Sequence, residues 1–350
     1  MKIVIFGGVG FIGTNIVRAA IQRGHHVVAF DSLMRKGVKD NLRYLSQHKQ
    51  FQFIQGDIRN KQDFAEIPKK IDCIINLAAN PAVPKSIARP MFDFRINVVG
   101  HLNVLEYAKT HGKVPIIFAS SNKVYTDKLN HTPLRETENR YIPVDRNIMR
   151  GISESADVDG WEGYTNSPYG AGKLAAEKYT REYGNIYDIP YVINRMSCIY
   201  GEYQKGVESQ GWIDWFIRAK QHALPIRIYG NGKQVRDALF ASDVADLYIY
   251  QAEHMGVCSG KTYNVGGGPK TGFHTSVLEL IYLIDTLFPG KPLRYTLLPW
   301  RKSDQRYYVS DMRRVIHDTG WHPTINLAKG LSIMWNAHQQ ADRSHSKTLY

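Results

Sequence analysis

The sequence has few cysteines and no long apolar run. Its 350 residues include three cysteines, Cys73, Cys198 and Cys258, which lie far apart. This spacing excludes a disulfide framework and a cysteine-rich zinc site, and the histidines have no metal-ligand spacing, so we expect no metal. No stretch of about 18 uncharged apolar residues occurs, which argues against a membrane span. We therefore expect reduced thiols and no membrane partner.

The start of the chain leaves no room for a secretory or transit peptide. The apolar segment 3–6 follows almost directly after Met1. A secretory signal places a basic segment before its apolar core, and a transit peptide is long, amphipathic and rich in arginine. Together with the low cysteine content, this predicts a cytoplasmic protein.

Positive charge is the main bias of the composition. Lys and Arg number 45 against 32 Asp and Glu, a formal net charge of +13, and residues 291–350 carry ten basic side chains against four acidic ones. Such a surface could bind nucleic acid, attract a phosphorylated small molecule or simply be solvated. Because no block of five like charges and no nucleic-acid motif accompanies the charge, we expect no nucleic-acid partner.

Strand-like and helix-like segments alternate over the first 200 residues of a chain whose composition, 43% apolar and 22% charged, is typical of globular proteins. The predicted strands are Lys2–Phe6, Val27–Phe30, Phe51–Gln55, Ile71–Leu77, Val114–Ser120 and Tyr191–Met196. The predicted helices between them are Phe11–Arg23, Phe92–His111 and Tyr169–Tyr183. The alternation, with nearly continuous apolar strands, predicts an α/β fold with a doubly wound parallel sheet of the Rossmann type.

The alternation becomes less regular after about residue 200. The later predicted elements are helices near Gly211–His222, Ser242–His254, Thr275–Leu287, Asp311–Thr319 and Leu327–His338, and a strand at Ile226–Tyr229. We therefore predict a domain built on the parallel sheet over residues 1–200 and a smaller C-terminal α/β lobe over residues 201–350, between which the chain could cross. Residues 126–166 are polar with weak periodicity, and a loop of that length is usually functional or mobile.

A glycine-rich turn joins the first predicted strand to the first predicted helix. Its sequence is Gly7-Gly8-Val9-Gly10-Phe11-Ile12-Gly13, and Asp31 ends the next strand. Glycines at 7, 10 and 13 allow a tight turn, close approach of a pyrophosphate and close packing of helix on strand. The helix N-terminus offers free N–H groups to phosphate, and Asp31 can accept hydrogen bonds from a ribose. We predict a dinucleotide site, with a merely structural turn as the alternative.

The acidic residue favours NAD over NADP. The carboxylate of Asp31 would repel a 2′-phosphate, although Arg35 and Lys36 follow closely and could serve NADP. Asp57 follows the third strand, where it could approach the adenine amino group or cap the next helix.

Tyr169 and Lys173 lie four residues apart in a helix-like segment. Ser167 and Pro168 precede them, as an N-cap and a first helical residue do. At this spacing both side chains lie on one helix face. A nearby ammonium stabilises a phenolate, so we expect the pKa of Tyr169 to fall from about 10 toward that of a general base. The spacing is common in purely structural helices, but its position after a nucleotide-binding turn favours catalysis.

With the glycine-rich turn, further segments resemble the extended short-chain dehydrogenase/reductase family, whose members mostly modify nucleotide-linked sugars. The segments are Asn76-Leu77-Ala78-Ala79, Ile96-Asn97-Val98-Val99-Gly100, Ser120-Ser121, Tyr169 with Lys173, Arg195 with Tyr200-Gly201, Arg236-Asp237 and Tyr263-Asn264-Val265-Gly266-Gly267. The resemblance covers nearly the whole chain. It implies NAD as cofactor, a nucleotide-diphosphate sugar as substrate, and a homodimer or homotetramer built through helices such as Phe92–His111 and Tyr169–Tyr183.

The resemblance also implies the site residues. The catalytic residues would be Ser121, Tyr169 and Lys173, with a strand-end cap as the alternative for Ser121. The cofactor-binding residues would be Gly7, Gly10, Phe11, Ile12, Gly13, Asp31, Ser32, Asp57, Ile58, Leu77, Ala78, Ala79, Asn97, Tyr169 and Lys173. The substrate-binding residues would be Ser86, Asn122, Lys123, Asn194, Trp212, Arg236 and Arg301. Arg236 and Arg301 match positions that hold the substrate's diphosphate, with structural ion pairs as the alternative. Asn97 is expected to act mainly as a structural amide, and Cys198 as a packing residue.

The residues after Ser121 bear on the reaction. In the family's 4,6-dehydratases an Asp-Glu pair follows the catalytic Thr, whereas this chain has Asn122-Lys123. An amide cannot protonate a leaving hydroxyl as a carboxylic acid can, so dehydration is disfavoured.

Four segments resemble a narrower group, the CDP-tyvelose (CDP-paratose) 2-epimerases. They are Ser120–Tyr125, Gln210–Ile213, Gly230–Asp237 and Ser303–Arg306. Thr126 and Asn80 depart from relatives that often carry Gly there. The resemblance implies transient oxidation at C2 of the sugar to a 2-keto intermediate and return of hydride to the other face, with no net redox. A UDP-sugar 4-epimerase, a net NAD-dependent oxidoreductase and a noncatalytic nucleotide- or RNA-binding protein are the alternatives.

Overall fold

The structure, a computed structural model, describes residues 1–35, 37–160, 162–208, 210–301 and 304–347, with side chains as far as residue 342. The strands are β1 (Lys2–Phe6), β2 (His26–Asp31), β3 (Phe51–Gln55), β4 (Cys73–Asn76), β5 (Ile116–Ser121), β6 (Leu134–Glu136), β7 (Tyr141–Pro143), β8 (Tyr191–Met196), β9 (Cys198–Tyr200), β10 (Ile226–Tyr229), β11 (Val235–Phe240), β12 (Lys261–Val265), β13 (His274–Ser276), β14 (Tyr295–Leu298) and β15 (Tyr307–Tyr308). The α-helices are α1 (Phe11–Gln22), α2 (Val38–Leu45), α3 (Val83–Ala88), α4 (Pro90–Phe94), α5 (His101–Thr110), α6 (Arg146–Met149), α7 (Pro168–Tyr187), α8 (Trp212–Gln221), α9 (Ala241–Glu253), α10 (Met255–Cys258), α11 (Val277–Leu287), α12 (Arg313–Thr319) and α13 (Leu327–Lys347).

A seven-stranded parallel sheet forms the centre of the molecule, in the order β12-β8-β5-β4-β1-β2-β3. All six strands predicted in the first 200 residues lie in this sheet, and the predicted α/β fold class is confirmed. The seventh strand, β12, comes from Lys261–Val265 and pairs with β8. The chain therefore leaves the sheet after Met196 and returns to it beyond residue 260.

Strand β1 shows how the sheet separates two apolar cores. Ile3 and Ile5 are fully buried with side chains of α1 and α9, whereas Val4 and Phe6 are fully buried with side chains of α5 and α7. Successive side chains of a strand point to opposite faces, so a continuous apolar strand fills both cores. Each such burial contributes about 1.5–3 kcal/mol.

The C-terminal half builds a second structure beside the sheet. Strands β9, β11, β13 and β15 form a mixed four-stranded sheet, and β10 pairs in parallel with β14. A third apolar core lies among α8, α11 and α13. Since β9 begins two residues after β8 ends, this second structure is joined directly to the carboxyl edge of the central sheet.

Residues 126–166, predicted as a long loop, are folded in part. They contain a short 3₁₀ turn at Asp127–His131, the antiparallel β6–β7 hairpin and α6. Ile152 of this segment is buried with Val124, Tyr125 and Tyr308. The segment is thereby anchored beside the carboxyl end of β5.

The predicted helix Phe92–His111 has a π-helical interruption. An α-helix at Pro90–Phe94 continues as a π-helix over Arg95–Gly100 and then as α5. Single π turns inside α-helices are frequent near functional sites.

No helix in the part of the chain that the structure describes is long and apolar enough to cross a bilayer. Over the same residues, no group of three or more His, Cys, Asp or Glu side chains could hold a metal ion.

Candidate active site

Two adjoining cavities open at the carboxyl edge of the central sheet. The cradle cleft, of about 360 Å³, is lined by the glycine-rich turn and the ends of β2 and β4. The interlobe cavity, of about 400 Å³, is lined by the end of β5 and by residues from the C-terminal half. Tyr169 lines both cavities. Ligands in open α/β sheets bind at this edge, so the location is that of a binding site.

The glycine-rich turn has the geometry that phosphate binding requires. Gly7 has φ +78°, in the left-handed region, and a Cβ on Gly13 would lie 2.2 Å from the carbonyl oxygen of Gly7. A side chain at Gly13 would therefore push α1 away from the turn. Helix α1 begins at Phe11 with no acidic residue in its first turn, so its N–H groups are free to face an anion.

Asp31, which was predicted to bind a ribose, ends β2 and lines the cradle cleft together with Ser32 and Arg35. Its carboxylate accepts a hydrogen bond from the Leu33 N–H at 2.9 Å, and burial raises the pKa of Asp31 above its ordinary value. Arg35 donates to Gln210 at 2.7 Å, and Lys36 lies outside the described residues.

Asp57 and Ile58, both predicted to bind the cofactor, also line the cradle cleft. The Asp57 carboxylate accepts hydrogen bonds from the Arg59 guanidinium, which holds the pKa of Asp57 below its usual range. Leu77, Ala78 and Ala79 line the opposite wall, where Asn76 Oδ1 accepts the Ala78 N–H at 3.1 Å.

Helix α7 carries Tyr169 and Lys173 into the wall between the two cavities. Ser167 caps the helix by accepting the Gly170 N–H at 3.2 Å, and Pro168 is its first residue, as predicted. Both side chains are buried, the Tyr169 hydroxyl lies near the Ser121 hydroxyl, and Lys173 Nζ donates to the Ala119 carbonyl at 2.7 Å. The three predicted catalytic residues are therefore brought together at the junction.

The interlobe cavity is rich in cations. Lys123, Arg227, Arg236 and Arg301 line it, against the carboxylates of Glu208 and Asp304. Arg236 Nη2 donates to Asp304 Oδ1 at 2.7 Å, Arg227 is paired with Glu208, and the Arg301 guanidinium lies 3.6 Å from the ring centroid of Tyr229. Such a surface favours an anionic ligand.

Comparison with known proteins decides the family. Residues 3–266 match the NAD dependent epimerase/dehydratase family. The chain belongs to this family. It is 38% identical over 344 residues to CDP-paratose 2-epimerase of Salmonella typhi, covering 96% of this chain and 98% of the relative. It is 31% identical to a putative UDP-glucose 4-epimerase of Methanocaldococcus jannaschii, covering 98% and 100%. The structure of Thermus thermophilus UDP-glucose 4-epimerase in complex with NAD is similar, with 25% identity, a TM-score of 0.74 and coverage of 96% and 98%.

The residues of the cradle cleft fit NAD, the cofactor on which this family depends. The free α1 N-terminus suits the pyrophosphate, and Asp31 suits an adenosine ribose that carries no 2′-phosphate. The predictions of family and cofactor are confirmed. When bound, NAD supplies the hydride acceptor and donor, and Tyr169 lines both this cleft and the adjoining cavity.

The expectation about the pKa of Tyr169 is wrong for the protein without its cofactor. Burial raises the pKa of Tyr169 to about 12, and the nearby Ser121 hydroxyl offsets this shift only in part. Burial also lowers the pKa of Lys173 to about 8, although Asp93 and Glu177 oppose this shift. The ammonium is directed to the Ala119 carbonyl, so it does not offset the desolvation of the phenol. The positive charge of an oxidised nicotinamide ring in the cleft favours the phenolate.

Three predicted site residues lie outside both cavities. Asn97 is buried and exchanges hydrogen bonds with the backbone of Asn80. Ser86 is buried in α3, where its hydroxyl accepts the Tyr169 N–H at 3.1 Å. Asn194 is buried in β8 and exchanges two hydrogen bonds with the Gln251 amide. Asn97 and Ser86 thus hold backbone around the site, whereas Asn194 joins β8 to α9.

The remaining predicted residues line a cavity, as do some that sequence reasoning missed. Trp212 lines the interlobe cavity and donates to Cys198 Sγ at 3.1 Å, and burial raises the pKa of the Cys198 thiol to about 11. This agrees with packing rather than nucleophilic catalysis. Gln210 and Asp304 were not predicted as site residues. Both lie in the segments that resemble 2-epimerases, and that resemblance was the available signal.

Proposed function

We propose that the protein is an epimerase of a nucleotide-diphosphate sugar, and specifically a CDP-sugar 2-epimerase. The observation that carries the epimerase assignment is the place of Tyr169, which lines both the cradle cleft and the interlobe cavity and lies near Ser121. The likeness to CDP-paratose 2-epimerase supports CDP as the nucleotide of the substrate and C2 as the carbon that is inverted. The reaction has no net redox, because the cofactor returns the hydride that it takes.

The chain's own residues handle the proton. Tyr169 as phenolate accepts the proton of the C2 hydroxyl, and as phenol it returns that proton when the 2-keto group is reduced. Ser121, whose hydroxyl lies near that of Tyr169, would hydrogen-bond to the same oxygen, and Lys173, held by the Ala119 carbonyl, places a positive charge in the cradle cleft. Rotation of the keto sugar within the interlobe cavity exposes its other face, so the configuration at C2 is inverted.

The charges of the cavity disfavour dehydration. Elimination of a hydroxyl requires a carboxylic acid near the reacting carbons. The carboxylates among the described cavity residues, Glu208 and Asp304, are each paired with an arginine. Arg236 and Lys123 hold the pKa of Asp304 below its usual range despite its burial, so that this carboxylate stays ionised.

Incubation with CDP- and UDP-sugars tests the proposal. We expect inversion at C2 of a CDP-linked deoxyhexose, read by NMR, with no deuterium uptake from D₂O and no net change of absorbance at the reduced-nicotinamide band. Inversion at C4 of a UDP-sugar would instead make the protein a 4-epimerase, the function named for the M. jannaschii relative. Stoichiometric formation of reduced cofactor would indicate a net oxidoreductase, and deuterium at the inverted carbon would indicate deprotonation rather than hydride return.

A further inference from the structure

Lys123 is a half-buried cation to which the roles proposed for Ser121, Tyr169 and Lys173 give no function. Its side chain lines the interlobe cavity, and 22% of that side chain is exposed. It follows Ser121 by two residues, in the 3₁₀ turn Asn122–Val124 that ends β5. A lysine that is this close to a catalytic hydroxyl can contact the substrate directly.

The backbone of Lys123 is held against the catalytic residues. Its N–H donates to Ser121 Oγ at 3.2 Å. Its carbonyl oxygen packs so closely on the start of α7 that a Cβ on Gly170, the residue after Tyr169, would lie 2.0 Å away. The ammonium therefore extends from a point that is positioned relative to both Ser121 and Tyr169.

The Lys123 ammonium has more N–H donors than the described residues around it accept. It carries three N–H donors. Among the described residues, it lies 3.2 Å from Gln305 Oε1, and 3.7 Å from Asp304 Oδ1, beyond hydrogen-bond distance. The same Asp304 oxygen accepts shorter hydrogen bonds from Arg236, at 2.7 Å, and from the Gln305 N–H, at 3.1 Å. Lys123 therefore keeps donors for a ligand in the cavity.

The net charge of the cavity matches a diphosphate. Four cations and two carboxylates line it, an excess of two positive charges among the described lining residues. A diphosphate that links a nucleoside to a sugar carries two negative charges. Of the four cations, Lys123 is the one whose backbone contacts the Ser121 side chain, so the phosphate nearest the sugar belongs at Lys123.

We propose that Lys123 binds the sugar-side phosphate of the substrate. The assignment rests on the proposed function in that it takes the substrate to be a nucleotide-diphosphate sugar.

The partial burial of Lys123 is consistent with its binding a phosphate. It lowers the pKa of Lys123 to about 8, with Asp304 opposing the shift and Arg236 reinforcing it. An arriving phosphate supplies the counter-charge that the cavity lacks, and this favours the ammonium. A charge-assisted hydrogen bond of this kind is among the stronger ones in proteins.

The test compares binding of CDP and CMP to the wild type and to Lys123→Met, by calorimetric titration of the NAD-loaded protein. CDP differs from CMP by the second phosphate. We expect the ratio of CDP to CMP affinity to fall by about 10- to 100-fold in Lys123→Met, with CMP affinity unchanged. Lys123→Arg, which keeps the positive charge, should give a ratio of CDP to CMP affinity between those of Lys123→Met and the wild type. Lys128→Met is the matched control, because the Lys128 ammonium pairs with Glu162 outside both cavities.

The outcomes separate this inference from the proposed function. An unchanged CDP to CMP ratio in Lys123→Met would overturn the role of Lys123, even if the wild type inverts C2 of a CDP-sugar. If the wild type does not invert C2, the proposed function fails. A fall in the ratio of CDP to CMP affinity in Lys123→Met would then still support phosphate binding by Lys123. If UMP and UDP bind more tightly than CMP and CDP, the same ratio is measured with them. Unchanged CMP affinity and NAD content show that the variant is folded.

Discussion

Tyr169 is the general base of the proposed function, and its surroundings favour the protonated phenol. Burial raises its pKa to about 12, and Lys173 at the neighbouring helical turn is directed to a backbone carbonyl. Sequence spacing predicted the pair, but spacing carries no information about desolvation. The positive charge of an oxidised nicotinamide ring in the cleft would favour the phenolate.

Replacing Tyr169 with Phe should lower kcat by about 10²- to 10⁴-fold, because the general base is lost. NAD content should stay unchanged, since the glycine-rich turn and Asp31 are intact. NMR of the product gives the rate, and absorbance after denaturation gives the bound cofactor. Tyr179→Phe, on the same helix and 46% exposed, is the control and should retain wild-type turnover. A Tyr169→Phe enzyme with near-normal kcat would remove the phenol from the mechanism.

A chain of hydrogen bonds connects two of the elements that build the site. Asn76 at the end of β4 donates to His101 Nδ1 at 2.8 Å, and His101 Nε2 lies 2.8 Å from Thr180 Oγ1 of α7. The Thr180 hydroxyl donates to the Ala176 carbonyl, so its oxygen accepts from Nε2–H. This arrangement requires a neutral imidazole, and burial with the nearby charge of Lys173 lowers the pKa of His101 to about 3. His101 thus links the cofactor-binding wall to the helix of Tyr169.

The neutral state of His101 predicts a pH dependence of stability. The unfolded chain takes up a proton near pH 6.5 and the folded protein only near pH 3, so the free energy of unfolding decreases as pH falls between these values. Wild type should lose about 1 kcal/mol more than His101→Gln between pH 7 and pH 5.5, measured by urea unfolding. Equal losses in the two proteins would mean that His101 is not held neutral in the fold.

The strands of the central sheet that lie in the first 200 residues were predictable from the sequence. The C-terminal segments that pair with or contact them were not. Strand β1 and its glycine-rich turn form a local pattern, in which apolar alternation, glycine spacing and a helix follow one another within a few residues. Strand β12, by contrast, is a short segment of mixed polarity that becomes part of the sheet only by pairing with β8, some 70 residues earlier. Similarly, Asp304 reaches Lys123 through a contact between segments about 180 residues apart. Contacts between distant segments produce no local periodicity in the sequence, so they could not be predicted from it.

At the scale of the whole molecule, the positive charge and the exposed apolar surface have different locations. The interlobe cavity holds an excess of cations, which suits an anionic substrate. Large apolar side chains are exposed in several places, and six of them lie on the adjoining helices α3, α4 and α7, namely Ile87, Met91, Phe94, Tyr179, Ile186 and Tyr187. Single exposed apolar residues are ordinary, but a group of them on adjoining helices marks an interaction surface.

We propose that these helices form the interface of a homodimer. Met91 and Ile186 are 62% and 63% exposed, on α4 and α7, and Ile186 follows Tyr179 by seven residues and so lies on the same helix face. Light scattering should give a mass of twice 39.9 kDa or a higher even multiple for the wild type. Met91→Glu combined with Ile186→Glu should give a smaller species, because burying two carboxylates in an apolar interface is costly. Tyr282→Glu, at a 76% exposed position on α11, should leave the mass unchanged. A monomeric wild type would contradict the dimer, and a double variant of wild-type mass would place the interface on another surface.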